Sequence, residues 1–69
     1  MKELDLHGLS HHHVQDTVEN WVLMNEPPLR IITGNSTRMK ELVEKVLTAH
    51  KMKFYSPVHN PGEIIVLRW

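Results

Sequence analysis

The chain contains no cysteine. Disulfides are therefore excluded, and the composition fits a reducing compartment. Long apolar runs are also missing. Stretches such as Trp21–Met24 and Ile64–Leu67 fall far short of the about 20 residues that span a bilayer. The opening MKELDLHG has no apolar signal-peptide core. The expectation is a cytoplasmic domain with no membrane partner. Excess charge of either sign is lacking as well, since eight Lys and Arg balance eight Asp and Glu. A strong non-specific nucleic-acid binder carries a basic field, so any phosphate binding here must be local. Length is the last shortage. Sixty-nine residues make a single domain, 1–69, and a chain of this size buries only about 60% of its unfolded surface.

What the chain has in quantity is histidine. There are six, and four of them lie within His7–His13. Net charge therefore climbs as pH falls towards about 6.

Glu3 to Leu6 alternates polar and apolar residues, as a half-buried strand does. Leu4 and Leu6 share one face, and Asp5 and His7 share the other. Gly8 ends the strand. Ser10 is expected to cap a helix over His11–Met24 by accepting a hydrogen bond from an orphan amide. Val14, Val18, Trp21 and Val22 fall on one side of that helix. Pro27-Pro28 stops it. Leu29–Ile32 reads as a short apolar strand. The polar turn TGNST, residues 33–37, leads into a second helix capped by Ser36 or Thr37 and ending near His50. Met39, Leu42, Val43, Val46 and Leu47 give that helix a clear apolar stripe. Lys51 closes it with a charge that suits the dipole. Lys53–Ser56 is a weaker strand, and Asn60-Pro61-Gly62 is a turn. Glu63–Trp69 is a final strand whose unbroken apolar centre predicts an inner position.

This order, βαβαββ, predicts an α/β two-layer sandwich of the α+β kind. Both helices lie on one face of a four-stranded mixed sheet, with right-handed crossovers. The last two strands form an antiparallel hairpin. Ligands of such sheets bind beyond the carboxyl ends of the parallel strands. Two loops land there, DLHGLS and TGNST. Each runs into a helix N-terminus, where free amides and the dipole favour an anion.

LDLHG at 4–8, an amphipathic helix, and an apolar strand ending in IITGNS at 31–36 together resemble the Smr (small MutS-related) domain family. The resemblance covers nearly the whole chain. Thr33-Gly34-Asn35-Ser36 matches the TG form of the family's second motif but has serine at its last glycine, and the loop is slightly shorter than the common form. The resemblance implies a fold like the C-terminal domain of translation initiation factor three, with sheet order 1-2-4-3. It implies an endonuclease acting on RNA or DNA, or alternatively a non-catalytic module that binds nucleic acid or the ribosome. It also implies Asp5 and His7 as the catalytic pair, and Thr33, Gly34 and Asn35 as a turn that binds the nucleic-acid backbone.

The residue types agree with that chemistry. Histidine titrates near neutral pH and serves as general acid or base. Asp5 could orient the imidazole or hold a divalent ion; the cofactor expectation is Mg2+ or none. RNA carries its own nucleophile, whereas DNA cleavage calls for a metal-activated water. In the turn, Gly34 allows close backbone approach. Asn35, Ser36 and Thr37 supply donors, and Arg38 and Lys40 supply charge. Each residue also has a plainer reading: Asp5 as a loop cap, His7 as a polar strand end, and TGNST as an ordinary helix cap. His11, His12 and His13 fan through about 200 degrees of helix and cannot converge on one ion. They read as a solvated first turn, or as groups that gain a proton beside a phosphate. No metal site is assigned. A third function class is an interaction domain using the open face of the sheet.

Overall fold

The computed structural model describes all 69 residues. The elements in chain order are β1 (Lys2–Asp5), α1 (His11–Met24), β2 (Leu29–Ile32), α2 (Thr37–Ala49), β3 (Lys53–Tyr55) and β4 (Glu63–Arg68). The four strands lie in the order β1-β2-β4-β3. β1 and β2 are parallel, with Leu4 beside Ile31 and Asp5 beside Ile32. β4 runs antiparallel to both β2 and β3. The α+β sandwich and the sheet order are those expected.

Helix periodicity builds the core. In α1, Val14, Val18 and Val22 recur every fourth residue and are fully buried. In α2, Met39, Leu42, Val43, Val46 and Leu47 form the buried stripe. Both sets join Leu6, Leu29, Ile31, Ile64 and Val66 in one cluster, so both helices cover the same face of the sheet. Each buried aliphatic side chain contributes about 1.5–3 kcal/mol by leaving water. The inner position of β4 explains its unbroken apolar centre. Ile64 and Val66 face the helices, and Ile65 turns to the other face.

Ile65 is only 5% exposed although no helix covers it. Its cross-strand neighbours are Arg30 and Tyr55. Arg30 lies between two carboxylates, with Nη1 3.3 Å from Glu3 Oε1 and Nε 3.3 Å from Glu63 Oε2. The Glu3 contact is a hydrogen bond. The Glu63 contact is close but poorly aligned, and the buried Nε donates to nothing. An arginine stem shields apolar surface while its head reaches charge, and Arg30 and Tyr55 flank Ile65 from the two neighbouring strands.

The helix ends depart from expectation in two places. Ser36 caps α2 as expected, its Oγ accepting from the Met39 amide at 3.1 Å. Ser10 sits at the N-cap of α1 but makes no cap hydrogen bond; its Oγ pairs with His12 Nδ1 at 2.8 Å. The neighbouring imidazole is a better placed partner than the amide. At the other end of α2, Lys51 does more than bring charge. It adopts φ 57. The Lys51 amide donates to Thr48 O, and the Met52 amide donates to Leu47 O, each at 3.0 Å. This is a Schellman closure, with buried Met52 completing its apolar contact. No helix is long and apolar enough to cross a membrane.

Candidate functional site

Both sequence motifs sit at the carboxyl ends of the parallel pair. β1 continues one hydrogen bond beyond its last residue, through the Leu6 amide to Ile32 O at 2.9 Å. The chain then reverses over Leu6–Leu9, closed by the Leu9 amide on Leu6 O at 2.9 Å. Gly8, third in this turn, has φ 85, a conformation glycine adopts without steric cost. The turn leaves His7 exposed at its tip.

Asp5 holds this turn from inside. Its Oδ1 accepts the His7 backbone amide at 2.9 Å. The carboxylate therefore fixes the loop that carries the imidazole, and the ring itself has no hydrogen-bond partner within the chain.

The second motif is braced from a direction the sequence did not reveal. The amides of Thr33 and Gly34 both donate to Gly62 O, at 2.8 and 3.0 Å. Thr33 is 2% exposed, and its hydroxyl donates to Gly34 O at 3.0 Å. Gly34 has φ 69. A Cβ added there would lie 3.7 Å from His7 Cδ2, so the imidazole of the first motif faces the glycine of the second. A Cβ at Gly62 would meet the Gly34 backbone at 3.4 Å. Three loops thus meet at this end of the sheet: 6–9, 33–36 and 57–62.

The expected phosphate-binding turn divides in two. The Thr33 and Gly34 amides are committed to Gly62. The amides of Asn35, Ser36, Thr37 and Arg38 donate to no backbone or side-chain acceptor in the chain. They stand at the start of α2, where the dipole favours negative charge. Beside them lies a polar hollow of ≈ 180 Å³ lined by Gly34, Asn35, Ser36, Thr37, Lys40 and Pro61. Arg38 is exposed next to it. A larger groove of ≈ 300 Å³ runs between α1 and α2 past Asp16, Glu19 and Lys45, and includes neither motif.

Gly62 and Pro61 were the residues that sequence reasoning missed. Asn60-Pro61-Gly62 signals a turn, but only the antiparallel pairing of β4 with β2 brings that turn to Gly34. The histidine run also has local structure. The rings of His12 and His13 lie with centroids 4.1 Å apart and planes tilted by 45°. No group of three or more His, Asp or Glu side chains is placed to hold a metal ion. A magnesium ion takes oxygen ligands, and Asp5 offers one carboxylate whose Oδ1 is already engaged. Mg2+ is usually held by one or two carboxylates together with substrate phosphates; Asp5 would be the carboxylate here, and no step is assigned to the ion. Comparison with protein-family models, with curated proteins and with solved structures finds no match for this chain.

Proposed function

We propose that the chain is a Smr-like nucleic-acid endonuclease that cleaves phosphodiester bonds of RNA or DNA at the junction of its two motif loops. The observation that carries this reading is the imidazole of His7 against Gly34, next to four unpaired amides at the start of α2. A backbone phosphate seated on those amides would lie near an exposed imidazole with free ring nitrogens. Phosphodiester cleavage takes a proton from the attacking oxygen and returns one to the leaving oxygen. His7 performs that transfer. The amides of Asn35 to Arg38, with the charges of Arg38 and Lys40, stabilise the phosphate as its negative charge builds. Asp5 acts through the backbone of His7 and is a positioning residue.

The test is cleavage of labelled single-stranded RNA, single-stranded DNA and branched DNA, with magnesium and with chelator, beside His7→Ala. The expected result is cleavage that disappears in the folded variant. Equal activity in His7→Ala overturns the assignment. Asp5 engages the His7 backbone amide rather than the imidazole, which favours a second reading, a binding module without catalysis for nucleic acid or the ribosome. Its signature is salt-dependent binding with no cleavage in any lane.

A further inference from the structure

The topology gathers histidine at one end of the molecule. Of the six histidines, His7 lies on the β1–α1 turn, His11, His12 and His13 on the first turn of α1, and His59 on the β3–β4 loop. All five are exposed. The carboxyl ends of β1 and β2, the N-termini of both helices and the β3–β4 loop all lie at this end of the sheet, because β1 and β2 are parallel and β4 starts where they stop. Arg38 and Lys40 stand there too. The sixth, His50, is at the far end of α2, paired with Glu19 at 2.8 Å.

Four carboxylates lie at this end, and two of them are engaged. Asp5 is held by the His7 amide, and Glu63 lies against Arg30. Asp16 stands at helical spacing from His12 and His13, and Glu41 at helical spacing from Arg38. At neutral pH the cluster is a weakly charged surface on a chain of zero net charge. As the rings gain protons, this end gains positive charge beside Arg38 and Lys40.

We propose that this histidine-rich end is a proton-coupled docking surface for the phosphate backbone of a single-stranded nucleic acid. The inference rests on the reading of TGNST as a phosphate-binding turn, because that turn lies at the same end and sets where the strand runs. His11, His12 and His13 stand exposed on the first turn of α1, open to a strand that crosses this end. A phosphate strand laid across an imidazole favours its charged form, because opposite charges within a few ångströms attract. Binding and proton uptake then drive each other, which supplies the cationic field that the overall composition lacks.

The experiment is fluorescence anisotropy of labelled single-stranded RNA with the chain, at constant ionic strength, from about pH 8 to pH 6. It is run on the wild type and on His7→Ala, which removes the proposed cleavage step. Affinity is expected to tighten by about tenfold per pH unit for each proton taken up, with more than one proton involved. Calorimetry in two buffers of different ionisation enthalpy counts those protons directly. The triple variant His11→Gln/His12→Gln/His13→Gln, on an exposed turn, keeps its circular dichroism and loses most of the slope. His50→Gln keeps the full slope. Affinity independent of pH, an unchanged slope in the triple variant, or no binding at any pH overturns the inference. Proton-coupled binding without cleavage sustains it while refuting the nuclease reading. Cleavage with pH-independent affinity does the opposite.

Discussion

The imidazole of His7 faces Gly34 across two loops that are 27 residues apart in the chain, close enough that a Cβ on Gly34 would lie 3.7 Å from His7 Cδ2. That separation is ordinary van der Waals contact, so a methyl group fits. The backbone does not suit it, because Gly34 has φ 69. Gly34→Ala is expected to lower stability by about 1–2 kcal/mol through left-handed strain alone. Gly34→Val adds branches against the ring and should also move the His7 ring-proton resonances. Urea unfolding and NMR check the two parts separately.

The two serine caps should behave differently. Ser36 Oγ accepts from Met39, so Ser36→Ala is expected to cost about 1 kcal/mol. Ser10 caps no amide and bonds His12 instead. Ser10→Ala is therefore expected to change stability by less than about 0.5 kcal/mol. In a domain of this size 1 kcal/mol shifts Tm by roughly 4–8 °C, so thermal melts resolve the difference.

Lys51 occupies the left-handed position of a Schellman closure, where glycine is the usual residue. Relief of the side-chain clash outweighs the greater freedom glycine gains in the unfolded chain. Lys51→Gly is expected to stabilise the fold by about 0.5–1 kcal/mol. A rise in the urea midpoint at constant slope is the result to look for, and a fall contradicts it.

Arg30 separates charge from cover. Its pair with Glu3 joins side chains 39% and 47% exposed, and such pairs contribute about 0–1 kcal/mol, while its contact with the more buried Glu63 is not a hydrogen bond. Its Nε is buried without a partner, an offsetting cost. Arg30→Met keeps the stem over Ile65 and is expected to cost less than about 1 kcal/mol. Arg30→Ala uncovers Ile65 and should cost clearly more. Equal losses in the two variants would assign the effect to charge instead.

Much of the architecture was legible because helices and strands announce themselves by period. The α1 boundaries fell at His11 and Met24 as read. α2 ended at Ala49, one residue before His50, and β3 ended at Tyr55, one before Ser56. β1 was read as Glu3–Leu6 and runs Lys2–Asp5, with Leu6 still hydrogen-bonded to β2. These shifts reflect fraying at element ends, where hydrogen-bond pattern and side-chain pattern part company. The caps were less legible. A hydroxyl's choice between an amide and an imidazole depends on rotamers and local geometry, and Ser10 took the imidazole.

By itself, the sequence determined the element order, the buried stripes of both helices, and the arrival of two polar loops at helix starts. Those properties follow from local spacing, because a period of 3.6 or 2 sorts side chains onto faces before any distant contact forms. Only the tertiary structure decided which amides in the second loop stay free. The carbonyl of Gly62 comes from the far end of the chain and engages Thr33 and Gly34, leaving Asn35 to Arg38 unpaired. Sheet pairing between β2 and β4 sets that contact, and no local pattern around residue 34 carries a record of residue 62.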